Sequence, residues 1–463
     1  MRPRLAWTGA ALVLGCATFF PPPLAATARR LAWSDLAPTS RVRLEAQGIT
    51  SSTFASFVDR LHDTNVRRVR DGDFDHLIFY ALQSAHVSKA PPIEPALSAK
   101  ALVDALPREA RTIFLDTGKA PQTAVPPDAR ARLRALLRVL DSKDKDPRVG
   151  YFRALVDSSL PKQTDRERAL ADEYLRAMRF LYEKEFVAQR SARPADDVAA
   201  LYRTRGLSTD TAVEAGYVVY LGLGILESID PEQRIRRVLI VGPGLDLAPR
   251  TALLQDAAPE SYQPWAVIDA LLTLGLARAD DLQVVAADIN PRVVEHVRAA
   301  AAAPPALSLI SGIREDDGIT LASDYRDYFA QLGRAIGEAG PVASTRGHLR
   351  KAVRVGAAAA RTLRAEQLDI VTERLPGEAP FDLAIATNIL PYFDDVSLAL
   401  ALDTIAALLA PRGVFLHNEP RNAVGDIGTA LGLPPEQSRQ ALIATVRGAA
   451  APLVDTVILH RKR

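Results

Sequence analysis

The feature that most constrains the fold is a short run of aliphatic residues that ends in two glycines. Residues Val238 to Val241 have the composition of a strand buried on both faces, and Gly242-Pro243-Gly244 ends it. Glycines let the backbone approach a ligand closely, and Asp246 can reach a hydroxyl or ammonium group there. A dinucleotide site would place another glycine where the chain has Leu247. The turn therefore predicts a ligand site, but it lacks the third glycine that a site for the pyrophosphate of a dinucleotide usually has.

Strands and helices alternate after about residue 201, which predicts an α/β unit. Crossover helices are predicted over residues 264–274 and 291–302. The last two strands are too close in sequence for a long crossover helix, so we expect them to form a closing antiparallel hairpin. The further predicted strands are Gln283 to Ala287, Thr362 to Leu368, Phe381 to Ala386, Gly413 to His417, Gln440 to Val446 and Leu453 to His460.

Polar side chains follow several of these strands. Asp288 ends the second strand, Asp369 follows the candidate third strand, and Thr387-Asn388 follows the fourth. Because the carboxyl ends of parallel strands meet at one edge of a sheet, we expect these groups to share a crevice. An acid at the position of Asp288 can accept hydrogen bonds from both hydroxyls of a ribose.

In this order the segments resemble the class I S-adenosylmethionine (SAM)-dependent methyltransferases, over roughly residues 237–461. Nothing N-terminal to that region matches a family we can name. Within the class, Phe381 to Asp394 is similar to the chemotaxis-receptor glutamate methyltransferases, which share an Asn-aliphatic-Leu-x-Tyr-Phe-Asp segment. The matching pieces are the Val-Gly-Pro-Gly turn, Asp288, the pair Asp369-Ile370, Phe381-Asp382-Leu383, and Leu409 to Gly413 before the fifth strand.

The resemblance implies a Rossmann-like, seven-stranded, mostly parallel sheet with SAM as cofactor. Gly242 and Gly244 would line the methionine end of SAM, with Asp246 in reach of it. Asp288 would bind the ribose, with Ile289 beside it, while Asp369 and Ile370 would flank the adenine. Asn388 would face the sulfonium, and Tyr392 either contacts the substrate or serves in packing.

Methyl transfer from a sulfonium needs mainly proximity and in-line alignment, so we name no catalytic base. Cys16 is the one cysteine, and the seven histidines lack a ligand-spaced pair, so no metal site is expected. The formal net charge is +2, which provides no global field for nucleic acid. The motif Asn-Pro-Pro-Tyr of base-modifying enzymes is also missing, so a small-molecule or protein methyl acceptor is expected.

Two stretches depart from the family pattern. The first loop is longer than usual because of residues 247–263, and an insertion covers about residues 307–356. The insertion contains Tyr325 to Phe329 and a basic cluster, which we interpret as a solvated helix face or a site for an acidic partner. The cluster is formed by Arg346, His348, Arg350, Lys351 and Arg354. Either stretch could cover the substrate.

Residues 29–200 are predicted to form an all-helical N-terminal domain, followed by the methyltransferase-like domain at 201–463. Helical spacing of apolar residues marks Phe54 to Leu61, His76 to Gln83, Ala129 to Leu140 and Arg166 to Phe186. Asp71 to His76 resembles a calcium loop but lacks its glycine and glutamate, and we interpret it as the cap of the following helix.

Residues 1–28 are predicted to be a secretory signal peptide or a membrane leader. Arg2 and Arg4 precede an apolar run, and Ala26-Thr27-Ala28 fits a cleavage site. The alternatives are a lipid anchor at Cys16 and a cytoplasmic protein with a misassigned start. Because SAM is made in the cytosol, an exported chain would instead be a non-catalytic binding protein that retains the fold. Export or envelope association is the expected localisation.

Overall fold

A computed structural model describes residues 28–161, 164–247, 257–342, 347–448 and 451–463 of the chain. Cys16, Arg346 and all but the last residue of the predicted leader lie outside the described residues. So do residues 248–256, most of the predicted long first loop.

The described residues form three sheets. The strands are β1 (Arg29–Arg30), β2 (Arg237–Val241), β3 (Gln283–Asp288), β4 (Ala306–Ile310), β5 (Ile319–Leu321), β6 (Gly337–Gly340), β7 (Arg350–Val355), β8 (Leu363–Gln367), β9 (Glu373–Arg374), β10 (Phe381–Ala386), β11 (Leu409–His417), β12 (Pro435–Val446) and β13 (Leu453–Arg461).

The helices are α1 (Pro38–Glu45), α2 (Phe54–Gln83), α3 (Pro95–Ala105), α4 (Arg108–Thr117), α5 (Pro127–Leu140), α6 (Pro147–Ser159), α7 (Arg166–Tyr182), α8 (Pro194–Thr204), α9 (Val213–Ile229), α10 (Tyr262–Thr273), α11 (Pro291–Ala302), α12 (Ser323–Gln331), α13 (Ala357–Ala360), α14 (Asp395–Leu408) and α15 (Asn422–Ala430).

The largest sheet has the strand order β5-β12-β13-β11-β10-β2-β3-β8. The five strands from β11 to β8 are parallel, and β13 runs antiparallel between β11 and β12. This order confirms the predicted Rossmann-like fold, with a closing hairpin formed by β12 and β13. The strand β5, from the predicted insertion, adds an eighth member at the edge. The strand order reverses between β2 and β10, and open α/β sheets bind ligands at such a point.

The two faces of the sheet bury alternate residues of each strand. Val238 and Ile240 of β2 belong to one hydrophobic cluster, and Leu239 and Val241 belong to the other. The first cluster also contains residues of α2, α5, α6 and α7, while the second contains Leu31, Leu36 and Phe54. The N-terminal helices therefore share both cores with the sheet. The division into domains at residue 200 stays a prediction.

The helix α2 is a single element of 30 residues, whereas the sequence predicts separate helices over its two ends. The interpretation of Asp71 to His76 as a helix cap is wrong, because this segment lies inside α2. The N-terminal region also contains the short strand β1, which pairs antiparallel with β9.

The insertion forms a three-stranded sheet of order β4-β7-β6, together with α12 and β5. The interpretation of its basic cluster as a helix face is wrong, since Arg350, Lys351 and Arg354 lie on strand β7. The Lys351 Nζ donates to the carbonyl oxygen of Leu332 at 2.6 Å. This cation therefore caps the C-terminal end of α12. No helix in the described part of the chain is long and apolar enough to span a membrane.

Candidate functional site

The turn after β2 needs glycine at two positions. Gly242 and Gly244 have φ angles of 67° and 68°, a region that side chains disfavour. A Cβ atom at Gly242 would lie 2.6 Å from Cγ2 of Ile389, and one at Gly244 would lie 2.6 Å from the carbonyl oxygen of Thr209. The glycines therefore allow two other segments to approach the turn closely.

Asp288 ends β3 beside this turn and is buried. Its Oδ1 accepts a hydrogen bond from the Asn290 backbone N–H at 2.8 Å, while the Gly244 N–H is 3.5 Å from Oδ2. Burial raises the pKa of Asp288 to about 7. The second oxygen thus has only a long contact and retains capacity to accept hydrogen bonds.

Asp369 follows β8 and is also buried. Its Oδ2 accepts hydrogen bonds from Thr372 Oγ1 at 2.6 Å and from Asn65 Nδ2 at 3.0 Å. Its Oδ1 accepts the Val371 N–H at 3.0 Å. The carboxyl group is held by the protein's own donors, one of which comes from helix α2.

Asn388 follows β10 and has a φ angle of 61°, which is uncommon for a residue other than glycine. Asn418, after β11, holds it there with two hydrogen bonds. The Asn388 N–H donates to Asn418 Oδ1 at 2.9 Å, and Asn418 Nδ2 donates to Asn388 Oδ1 at 2.8 Å. Strained backbone of this kind is a feature of functional sites.

Seven of the eight predicted cofactor residues line one cavity, together with Tyr392. The cavity has a volume of about 90 Å³. It lies at the carboxyl edge of the sheet, at the point between β2 and β10 where the strand order reverses. The predicted residues in its lining are Gly242, Gly244, Asp288, Ile289, Asp369, Ile370, Asn388 and Tyr392.

Asp246 is the predicted residue that the structure does not bring to this cavity. Its backbone N–H donates to the Glu260 carbonyl oxygen at 2.9 Å. Burial and the neighbouring Asp210 raise the pKa of Asp246, and Arg148 opposes that shift. Arg148 likewise opposes the shift at Glu260, whose pKa burial raises to about 8.

Tyr392 is buried and packs as one of the two predicted possibilities has it, while contact with the substrate stays a prediction. Its ring packs edge-to-face against Tyr202 with the ring centres 5.5 Å apart, and it also lines the cavity. Burial raises the pKa of Tyr392. The phenol is therefore a protonated group at neutral pH and has no role as a phenolate there.

Two segments that sequence reasoning missed complete the cavity wall. One is the strap, residues 206–211 between α8 and α9, whose Thr209 carbonyl oxygen accepts the Leu245 N–H at 2.6 Å. The other is the face of α2 that carries Asn65 and Val69. The spacing of four residues places these two on one helix face, which is the signal that could have pointed to them.

Asp73 joins α2 to the region of Asp288. It is fully buried, and its carboxyl oxygens accept hydrogen bonds from Tyr151 at 2.9 Å and from Asn290 Nδ2 at 3.2 Å. Arg292 forms an ion pair with it at 3.1 Å. Within the described ranges, no three His, Cys, Asp or Glu side chains are grouped so that they could hold a metal ion.

Comparison with known proteins yields structural likeness only. No protein-family model matches the chain, and no curated protein matches it. TrmN from Thermus thermophilus is 15% identical with a TM-score of 0.28, over 53% of this chain and 49% of that one, about half its length. The N-methyltransferase NodS from Bradyrhizobium japonicum is 13% identical with a TM-score of 0.26, over 52% and 84%.

The magnesium protoporphyrin IX methyltransferase ChlM from Synechocystis, with bound SAM, is 9% identical with a TM-score of 0.29. The match covers 61% of this chain and 94% of that one. Because these TM-scores are all below 0.5, the assignment of the fold rests on the strand order and pairing described above.

Proposed function

We propose that this protein is a SAM-dependent methyltransferase that binds its cofactor in the cavity at the carboxyl edge of the sheet. The observation that carries the proposal is the convergence of residues from four strand ends on one cavity. These residues follow β2, β3, β8 and β10, which lie next to one another in the sheet. Ligands of open α/β sheets bind at this place in the fold.

The residues around the cavity fit the chemistry of SAM. Gly242 and Gly244 both line the cavity, so the backbone of the turn faces a ligand without a side chain between them. Asp288 has an oxygen with acceptor capacity, which suits the hydroxyls of a ribose. Ile289 and Ile370 offer apolar walls for a flat base, and Asp210 offers a carboxylate for an ammonium group.

When bound, SAM supplies a methyl group on positively charged sulfur, which a nucleophile displaces in line. The chain's own residues would hold the two reactants and exclude water, and such alignment alone can lower a barrier by about 7–11 kcal/mol. Asn388 and Tyr392 lie where β10 ends, and we assign them to the acceptor side of the cavity. The acceptor stays unassigned between a small molecule and a protein, and the likeness to chemotaxis-receptor methyltransferases stays a prediction.

The test is a calorimetric titration of the purified protein with SAM and with its product S-adenosylhomocysteine (SAH). We expect both to bind, and we expect Asp288→Asn to weaken binding by about tenfold or more, because the amide replaces one acceptor oxygen by an NH₂ donor and cannot accept from both ribose hydroxyls as a carboxylate can. Asp280→Asn is the matched control, since Asp280 is an exposed acid paired with Arg278 at the opposite end of β3. An absence of binding at millimolar ligand would contradict the proposal.

We also propose that residues 1–28 associate the chain with the cell envelope, with the methyltransferase part facing the cytosol where SAM is made. The charged start and the apolar run of the sequence support association with the envelope, and the cytosolic source of SAM supports the orientation. Cell fractionation with mass determination of the mature chain tests it. Recovery of the intact chain from the soluble cytosolic fraction would contradict the proposal.

A further inference from the structure

Asn65 is a cavity residue that the sheet does not supply. It lies on α2, 304 residues from its partner Asp369 in sequence, and is only 4% exposed. The residue one helical turn later, Val69, lines the same cavity, as do Leu368 and Ile370 on either side of Asp369. Asn65 is thus a polar group set among apolar side chains.

The hydrogen bond to Asp369 fixes the orientation of the Asn65 amide. A carboxylate can only accept hydrogen bonds, so the NH₂ group of Asn65 faces Oδ2 of Asp369, at 3.0 Å. The Asn65 carbonyl oxygen then points away from that carboxylate. Among the described residues, nothing donates a hydrogen bond to this oxygen, which leaves an acceptor free beside the cavity.

Asp369 itself is poorly placed to accept a hydrogen bond from a ligand. Its two oxygens already accept hydrogen bonds from Asn65, Thr372 and Val371, and His62 Nδ1 lies 3.4 Å from Oδ2. A carboxylate offers about four acceptor positions, and these donors occupy three of them, so a single position on Oδ1 is left. Its interactions are those of a group that orients its neighbours.

We propose that Asn65 selects a 6-aminopurine, by accepting a hydrogen bond from the exocyclic amino group of the base. The proposal rests on the proposed function and assigns base recognition to the N-terminal helix, with Asp369 as the residue that positions Asn65. A 6-oxopurine presents an oxygen in place of the amino group, so two acceptors would face each other. Sites built for one hydrogen-bonding pattern reject a ligand that leaves buried polar groups unpaired.

The experiment compares the binding of SAH with that of S-inosylhomocysteine, the same compound with a 6-oxopurine base. Calorimetric titration of the full-length wild-type protein should give a Kd at least about tenfold lower for SAH. The variant Asn65→Leu, which keeps the side-chain size, should bind SAH about tenfold more weakly and lose the preference between the two compounds.

Two control variants separate base recognition from structural damage. Thr372→Val removes another donor to the same oxygen of Asp369 and leaves Asn65 unchanged, so it should keep the preference for SAH. Val66→Ala changes an exposed position next to Asn65 and should bind as the wild type does.

Two results would overturn the inference, and a third would overturn the proposed function beneath it. Equal binding of the two compounds by the wild type does so without any variant, even if Asn65→Leu does not fold. A preference that persists in Asn65→Leu also does so. Failure of the wild type to bind SAH at all would contradict the proposed function itself, and is distinct from the other two results.

Discussion

At the scale of single residues, the buried histidine pair at the end of β11 is a sensitive point. His417 Nε2 lies 2.9 Å from His460 Nε2, and His460 Nδ1 lies 2.7 Å from the Leu433 carbonyl oxygen. Since a carbonyl only accepts, His460 carries its proton on Nδ1 and accepts from His417 at Nε2. The Glu419 N–H donates to His417 Nδ1 at 3.1 Å, which completes a chain that suits two neutral rings.

This pair predicts an acid-dependent loss of stability. Burial lowers the pKa of both histidines below 6.5, and His460 lowers that of His417 further. Below pH 6.5 the unfolded chain therefore binds protons that the folded protein does not. The free energy of unfolding decreases as the pH is lowered. We expect a loss of about 1.4 kcal/mol per pH unit for each histidine, until its folded-state pKa is reached.

Urea unfolding at several pH values measures this effect, with the variant His417→Leu/His460→Leu as the reference. Other buried groups, such as Asp288, titrate in both proteins and cancel in the difference. A difference between wild type and variant that is constant from pH 7.5 to pH 5 would contradict the prediction.

The site residues that the sequence predicts are those whose role depends on local chain geometry. Gly242, Gly244 and Asp288 follow buried strands, so their position at the carboxyl edge follows from the strand pattern alone. Asn65 and Thr209 reach the cavity through contacts with residues far away in sequence, and a single sequence carries no record of such contacts. Asp246 has the right spacing, but it does not line the cavity.

At the scale of elements, two glycines allow the strap to cross α2 at close range. A Cβ atom at Gly72 would lie 1.8 Å from the Leu207 carbonyl oxygen, and one at Gly206 would lie 2.3 Å from the Gly72 nitrogen. The Leu207 N–H donates to the Arg68 carbonyl oxygen at 2.7 Å. The strap therefore lies directly on the backbone of α2.

Gly72→Ala should destabilise the protein although alanine is the better helix former. We expect a loss of about 2–3 kcal/mol from the backbone clash, together with weaker SAH binding because the strap lines the cavity. Gly150→Ala is the matched control, since Gly150 lies inside α6 and nothing is within 4 Å of its Cβ position. That substitution should stabilise the protein by about 0.5–1 kcal/mol.

Thermal or urea unfolding of the two variants measures both effects. If Gly72→Ala and Gly150→Ala shift the stability in the same direction, the strap does not depend on the close approach at Gly72.

The same contact explains why the sequence is misleading at this point. A glycine between two aspartates is typical of a turn or a helix start, since glycine is unfavourable inside a helix. Here the packing of the strap requires it, and tertiary structure overrides local propensity. The strands β2, β3 and β10 were predictable because their composition and their packing agree. The basic segment on β7 was not, because its partners β4 and β6 are specified elsewhere in the chain.

At the scale of the whole molecule, the N-terminal helices and the sheet are joined by more than apolar contacts. Asp403 of α14 accepts hydrogen bonds from the Ala37 N–H at 2.8 Å and from Ser40 Oγ at 2.6 Å, and it also pairs with Arg374. Arg30 of β1 pairs with Glu373 of β9. These contacts lie on the face opposite α5 to α7, so the N-terminal region packs against both sides of the sheet.

This arrangement predicts that residues 29–200 and the sheet unfold in one cooperative step. Native-state hydrogen exchange followed by mass spectrometry checks it, through the slowest amides of α7 and β10. Because both elements bury their apolar residues in shared clusters, those amides should exchange with equal free energies and the same dependence on denaturant. The strand β6, at the edge of the small sheet, is the internal control and should exchange at a lower free energy. Exchange of α7 several kcal/mol below β10 would mean that the helices form a separate unit, and the cavity wall carrying Asn65 could then open without unfolding the sheet.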